Sequence, residues 1–143
     1  SFPTRRSSDL SPKCYFMDTG LVCYLVGLQD GESTIHGPMG GALFETACVS
    51  GMHKRFTAMG EERALYYFRS CDGLEIDLLI EQPQRCYPIE IKLSSTINSQ
   101  HVRPIKKWME LSGYKKIPGF IMSTADLTGF AADGIRNIHY SLV

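Results

Sequence analysis

Alternating hydrophobic and polar residues predict three consecutive strands in the middle of the chain. The three runs cover about residues 63–70, 74–81 and 86–93. The segment EQPQRC joins the last two runs, which is typical of a hairpin with Pro83 and Gln84 at its tip. The segment SCDG joins the first two runs, and its Asp-Gly pair predicts a tight turn in which Gly73 has a positive φ.

Helices and further strands are predicted on both sides of this region. TGLVCYLVGL is predicted to form a short helix capped by Asp18 or Thr19. The apolar residues of GALFETACVSGMHKRF have helical spacing, which predicts a second helix. A third helix is expected at about residues 102–112, with Pro104 in its first turn. KCYFMD, IPGFIMS and RNIHYSL are expected to be strands, and residues 29–40 a loop. The predicted fold class is α/β, a mixed β-sheet flanked by helices.

Four charged residues interrupt the two strands of the predicted hairpin. They are Glu75, Asp77, Glu90 and Lys92. A turn centred on the predicted tip places Asp77 opposite Glu90 and Glu75 opposite Lys92. All four charged side chains then share one face of the sheet, and the apolar residues between them share the other.

Two interpretations of this charged face remain open at the level of sequence. In the first, the sheet is half exposed and Glu75 pairs with Lys92 or Arg69, for about 0–1 kcal/mol. That interpretation does not explain why Asp77 faces Glu90, because directly opposed like charges destabilise a sheet. In the second, a hard cation such as Mg²⁺ or Mn²⁺ lies between the two carboxylates. Lys92 would then orient a water or hold a phosphate, an arrangement suited to phosphodiester hydrolysis.

Charge and cysteine content narrow the class of protein. The chain has 15 basic and 15 acidic residues, which excludes a protein that is basic throughout but not one with a local basic patch. Its five cysteines form no C-x-x-C pair, which favours reduced thiols in the cytoplasm over a disulfide framework or a zinc site. The longest apolar run, residues 21–28, is too short to span a membrane.

One local basic patch lies between residues 92 and 116, where six basic residues accompany a single acidic one, Glu110. The basic residues are Lys92, Arg103, Lys106, Lys107, Lys115 and Lys116. Such a patch beside a metal site could follow a phosphate backbone, and Lys92, Arg103, Lys106 and Lys107 are the candidate nucleic-acid contacts. A solvated helix face is the alternative interpretation.

The first ten residues, SFPTRRSSDL, match the translation of a common sequencing adapter residue by residue. An ordinary polar, disordered amino terminus is the alternative. We expect residues 1–10 to be an artefact and residues 11–143 to form a single domain, a fragment of a longer protein.

Several segments of the chain resemble a known family. DGLEIDLLI followed by YPIEIK resembles the core of the PD-(D/E)xK nuclease superfamily, which has the restriction-endonuclease-like fold. Together with KCYFMDTGLVCYLVGL, GALFETACVSGM and LYYFRS, in that order, these segments resemble the carboxy-terminal domain DUF4143 of prokaryotic AAA-type ATPases. The resemblance covers about residues 12–123.

The resemblance implies a site and a set of partners. Asp77 and Glu90 would bind Mg²⁺ or Mn²⁺, Lys92 would be the catalytic lysine, and Glu45 would be the helix carboxylate that completes the metal and catalytic set. The implied activity is hydrolysis of DNA. The implied partner is an ATPase module in the same polypeptide chain. Ile76 stands where the superfamily has its proline, a common variation. The alternatives are a non-catalytic module that binds nucleic acid or regulates the ATPase, and an interaction domain whose carboxylates are structural.

Overall fold

A six-stranded mixed β-sheet lies at the centre of the computed structural model, which describes residues 13–114, 117–126 and 129–142, without the Phe130 side chain. Its elements are α1 (Thr19–Leu25), α2 (Gly31–His36), α3 (Gly40–Ala58), β1 (Ala64–Arg69), β2 (Glu75–Gln82), β3 (Arg85–Lys92), α4 (Ser99–Ser112), β4 (Gly119–Ser123), β5 (Gly129–Ala132), β6 (Ile135–His139) and a 3-10 turn (Tyr140–Leu142). The strand order is β1-β2-β3-β4-β6-β5. β4 is parallel to both of its neighbours, and the other pairs are antiparallel. The predicted mixed α/β class is confirmed.

The β2–β3 hairpin has the predicted register. Its paired residues run from Gln82↔Arg85 at the tip to Leu78↔Ile89. The two-residue loop is Pro83–Gln84, and Gln84 has a φ of 65°. Proline fixes the first loop position near −65°, so the loop has the pattern of a type II turn.

The β1–β2 connection also follows the prediction at its tip. Gly73 has a φ of 85°, and the residues that flank the turn pair as expected, Arg69 with Glu75 and Phe68 with Ile76. The Asp-Gly signal therefore sets the start of this pairing correctly.

A β-bulge then shifts the register of β2 at Asp77. Tyr66 pairs with Leu79 and Phe68 with Ile76, so the single residue Tyr67 lies opposite the two residues Asp77 and Leu78. Bulges of this kind bend a strand and redirect its side chains, and they are frequent next to functional sites.

The bulge divides the apolar residues of β2 between two cores. Ile76 and Leu79 pack against α4, whereas Leu78 and Ile80 pack against α3. The prediction that the apolar residues Ile76, Leu78 and Ile80 share one face is therefore wrong. The prediction that all four charged side chains share the other face is wrong too, because alternation along the strands places Glu75 on the α3 side and Lys92 on the α4 side. The α4 core consists of Leu74, Ile76, Leu79, Cys86, Val102, Ile105, Trp108, Met109, Ile121 and Ile135. The α3 core consists of Cys48, Val49, Met52, Leu78, Ile80, Ile89, Ile91 and Met122.

Three predicted elements need correction, and one observed strand was not predicted. KCYFMD is not a strand. Asp30 caps α2 inside the predicted loop, and β5 was not expected. The helix α4 begins at Ser99, because Asn98 accepts hydrogen bonds from the backbone N–H groups of Gln100 and His101, and this places Pro104 in the second turn. The adapter prediction for residues 1–10 and the basic residues Lys115 and Lys116 fall outside the described residues.

Candidate functional site

Asp77 lies on the β2 bulge and reaches across to β3. The residue is 8% exposed, and its Oδ2 accepts a hydrogen bond from the backbone N–H of Ile91 at 2.8 Å. The same oxygen accepts a bond from the Lys92 ammonium at 3.2 Å. The β2–β3 pairing runs as far as Leu78↔Ile89. Beyond that pair, the Asp77 carboxylate, rather than a backbone carbonyl of β2, accepts the hydrogen bond from the Ile91 N–H.

Glu90 and Lys92 complete this group from β3. They are two residues apart on one strand, so their side chains leave the same side of it. Glu90 is 3% exposed, and its Oε2 lies 2.9 Å from Lys92 Nζ. The structure thus brings Asp77, Glu90 and Lys92 together, with one ammonium between two buried carboxylates. We call this group the Lys92 cluster.

The electrostatics of the Lys92 cluster follow from its burial and charge. Burial, followed by the negative charge of Asp77, raises the pKa of Glu90 to about 7. Burial lowers the pKa of Lys92, but Glu90 and Asp77 together raise it above its usual value. Lys92 therefore remains an ammonium at neutral pH, where Glu90 is about half ionised, and the Asp77 and Glu90 side chains share its single positive charge.

Glu45 lies in a second group that we call the Lys13 cluster. Its Oε1 binds the Lys13 ammonium and accepts a hydrogen bond from the Tyr15 hydroxyl at 2.7 Å. Burial, then Glu45, and to a lesser extent Asp77 raise the pKa of Tyr15 above its usual value. Tyr15 therefore links the environments of Glu45 and Asp77.

The predicted three-carboxylate metal set is not assembled in the described part of the chain. No group of three or more His, Cys, Asp or Glu side chains there is close enough to bind one metal ion together. Asp77 and Glu90 share the Lys92 ammonium, whereas Glu45 is bound by Lys13 and Tyr15. Glu75 pairs with Arg69 at 3.1 Å and with the Tyr67 hydroxyl at 3.0 Å, so it stands outside both clusters.

Comparison with known proteins places these residues in a family. The sequence model described as "Domain of unknown function (DUF4143)" matches residues 40–141. The chain belongs to the DUF4143 family. The matched range contains every predicted site residue, but Lys13 and Tyr15 precede it.

Two curated relatives are similar to this DUF4143 domain. They are uncharacterized proteins of Mycobacterium bovis and Mycobacterium tuberculosis, each 36% identical over 86 residues, which is 60% of this chain. The chain spans only 19% of the length of each relative. No solved structure matches the chain.

Three of the predicted nucleic-acid contacts of the DUF4143 domain lie on α4. Arg103, Lys106 and Lys107 are exposed, but Lys107 is paired with Asp72 at 2.9 Å. Arg103 and Lys106 line a groove of about 540 Å³ between the start of α4 and β5, and neither has an ion-pair partner among the described residues. The fourth, Lys92, is held by its two carboxylates.

A pocket of about 310 Å³ adjoins Asp77 on the α3 side of the sheet. It lies between α3, β1 and the segment before α1, and Lys13, Tyr15, Tyr67 and Asp77 are among its lining residues. Sequence reasoning missed Lys13, Tyr15 and Tyr67. Their contacts join distant parts of the chain, and no spacing pattern indicates them.

Proposed function

We propose that this DUF4143 domain is a Mg²⁺- or Mn²⁺-dependent phosphodiesterase that hydrolyses DNA. The observation that carries the proposal is the Lys92 cluster, where two buried carboxylates and one lysine meet at a strand bulge. Carboxylate oxygens select hard cations, and a buried pair of them beside an ammonium is the combination that phosphodiester chemistry uses.

The charge of the Lys92 cluster fits a further cation. Two carboxylates face one ammonium, so a divalent ion would more than balance the remaining negative charge and leave a positive charge for a phosphate. Mg²⁺ usually retains several waters and needs only one or two protein carboxylates, so Asp77 and Glu90 suffice as its ligands. Bound there, the ion would lower the pKa of a coordinated water and draw charge from a phosphate oxygen.

The residues of the cluster have distinct roles in this proposal. The backbone N–H of Ile91 fixes the orientation of the Asp77 carboxylate. Lys92 keeps its proton and holds a phosphate oxygen or orients the attacking water, as a compact positive charge can. Glu45 acts less directly, because its carboxylate is bound by Lys13 and by the Tyr15 hydroxyl.

The α4 groove supports DNA as the substrate. Arg103 and Lys106 would contact phosphates of the backbone, because neither is neutralised by a neighbouring carboxylate in the described part of the chain. Lys107 would contribute less, since Asp72 already balances its charge. Binding should therefore weaken steeply as the salt concentration rises.

A cleavage assay tests the proposal. The purified chain is incubated with supercoiled plasmid and with single-stranded circular DNA in Mg²⁺ or Mn²⁺. We expect cleavage that is lost with a chelator and in Lys92→Met, and kept in Lys54→Met, which changes an exposed lysine of α3. Absence of cleavage by a folded wild type that binds the metal would contradict the proposal.

A second candidate function is a non-catalytic regulatory module of an AAA-type ATPase in the cytoplasm. The observation that favours it is an apolar surface on residues 16–39, where α1 and α2 contain no buried residue. This N-terminal apolar surface consists of Phe16, Met17, Leu21, Tyr24, Leu25, Val26, Ile35 and Met39. Exposed apolar surfaces of this kind often mark contacts with other modules.

This second candidate has its own test. The ATPase module, expressed separately, should co-elute with the domain, and the double variant Tyr24→Ser/Leu25→Ser should not bind it. Co-elution that the double variant leaves unchanged would contradict binding through this surface.

No helix in the described residues is long and apolar enough to cross a membrane.

A further inference from the structure

We infer that the pocket beside Asp77 binds one unpaired nucleobase of the substrate, so that the preferred substrate is single-stranded DNA. The inference rests on the proposed function, since it places the base next to the phosphate that the Lys92 cluster would act on. Its test uses binding without metal and is therefore independent of cleavage.

The pocket has the size and lining of a small-molecule site. Its volume of about 310 Å³ lies at the lower end of the roughly 300–1,000 Å³ that such sites occupy. Apolar residues Val49, Leu65 and Leu78 form part of its wall, while Lys13 and Asp77 supply charge. A flat ring with polar edges and an attached phosphate matches that combination.

Two tyrosine rings give the pocket an aromatic wall. The Lys13 ammonium lies 4.9 Å from the centre of the Tyr67 ring and 5.7 Å from that of Tyr15, so both rings face one space. Bases stack on tyrosine rings without regard to sequence. A base that enters would take the place of the ammonium, and Lys13 would exchange its contact with Glu45 for the adjacent phosphate.

The position of the pocket favours an unpaired base. Asp77 belongs both to the pocket and to the Lys92 cluster, so a bound base would be joined to a phosphate close to the carboxylates. A base within a duplex would have to leave its stack and lose its pairing partner to enter. A base in a single strand meets neither cost in full.

Binding of labelled oligonucleotides tests the inference. Fluorescence anisotropy is measured in EDTA with an oligothymidylate and with a hairpin duplex of equal length. We expect the wild type to bind the single strand more tightly. Tyr67→Leu should weaken that binding roughly five- to a hundredfold and leave duplex binding unchanged. Tyr67→Phe keeps the ring, loses only the hydroxyl bond to Glu75, and should bind as the wild type does.

Matched variants separate the pocket from the rest of the surface. Tyr140→Leu removes an exposed tyrosine of the C-terminal 3-10 turn, which does not line the pocket, and should leave the binding of both oligonucleotides unchanged. Equal binding of single strand and duplex, no binding of either, or equal losses in the Tyr67→Leu and Tyr67→Phe variants would each overturn the inference. Cleavage of plasmid with no single-strand preference would overturn it while leaving the proposed hydrolase intact. Single-strand binding without any cleavage would retain the pocket and remove the hydrolase.

Discussion

The Lys92 and Lys13 clusters each contain one lysine, but they differ in the number and burial of the carboxylates that bind it. The two lysine side chains are similarly exposed, 35% for Lys92 and 32% for Lys13. Their carboxylates differ, because Asp77 and Glu90 have side-chain exposures of 11% and 4% and share one ammonium. Glu45 is 18% exposed and has an ammonium and a tyrosine hydroxyl to itself.

This difference indicates where a cation would be useful. The Lys13 cluster is balanced, with one negative and one positive charge, so a further cation would gain little there. Once Glu90 is ionised, the Lys92 cluster has one negative charge in excess in a buried place, where uncompensated charge is costly. Changing the two clusters in parallel therefore tests whether charge imbalance, rather than the mere presence of carboxylates, marks the site.

The largest expected effect is on catalysis. Lys92→Met should lower the cleavage rate by about 10²–10³-fold, the range for loss of one preorganised group that stabilises charge in the transition state. Lys13→Met should lower it less than about tenfold, since Lys13 does not contact the two buried carboxylates. Single-turnover cleavage rates in Mn²⁺ would measure both. Similar losses in the two variants would mean that the clusters act as one unit.

The next effect is on the stability of the metal-free protein. Lys92→Met leaves two buried carboxylates without a cation and should cost about 3 kcal/mol, the lower end for a broken buried pair because the Lys92 head is partly exposed. Lys13→Met should cost about 1 kcal/mol or less. Urea unfolding in EDTA measures both changes. A small loss of stability in Lys92→Met would show that water already solvates these carboxylates. The stability of the Lys92→Met variant must also be known before its loss of cleavage is interpreted.

A third effect is on the pH dependence of that stability. The pKa of Glu90 is about 7 in the folded protein and its ordinary value is 4.5, so the folded state holds this proton more tightly. Raising the pH from 4.5 to 7 in EDTA should therefore destabilise the domain, by about 2–3 kcal/mol for this group. Glu90→Gln should remove this loss and Glu45→Gln should keep it, as urea unfolding at several pH values can measure. An unchanged loss in Glu90→Gln would assign it to another group.

Sequence sufficed to predict the parts of the site that local turns determine. Pro83 and Gln84 fix the β2–β3 register, and the Asp-Gly turn fixes the start of the β1–β2 pairing. Since a register places side chains, the β2–β3 turn alone predicts that Asp77 lies near Glu90 and Lys92. Lys92 itself supplies a cation between the two carboxylates, so their opposition alone does not require a metal ion.

The parts that were missed depend on contacts between distant residues. The bulge at Asp77 has one trace in the sequence, the unbroken apolar run Leu78-Leu79-Ile80, which departs from alternation and indicates a change of face. The sequence predicts a strand for KCYFMD, but the Lys13 and Tyr15 side chains of this segment bind Glu45, which is 32 and 30 residues away from them. Helix α2 contains no buried residue. Its sequence therefore lacks the helical spacing of apolar residues that would have predicted it.

The smallest expected effect is metal-dependent stabilisation. Mg²⁺ or Mn²⁺ at ten times its dissociation constant should add about 1.4 kcal/mol to the free energy of unfolding, or about 3–6 °C in melting temperature. Asp77→Asn should abolish the shift, and Glu45→Gln should keep it, because the balanced Lys13 cluster offers little to a cation. Differential scanning fluorimetry with and without metal measures this. If Glu45→Gln also abolishes the shift, Lys13 must release Glu45 when metal binds, and the three-carboxylate set predicted from sequence would describe the metal-bound state.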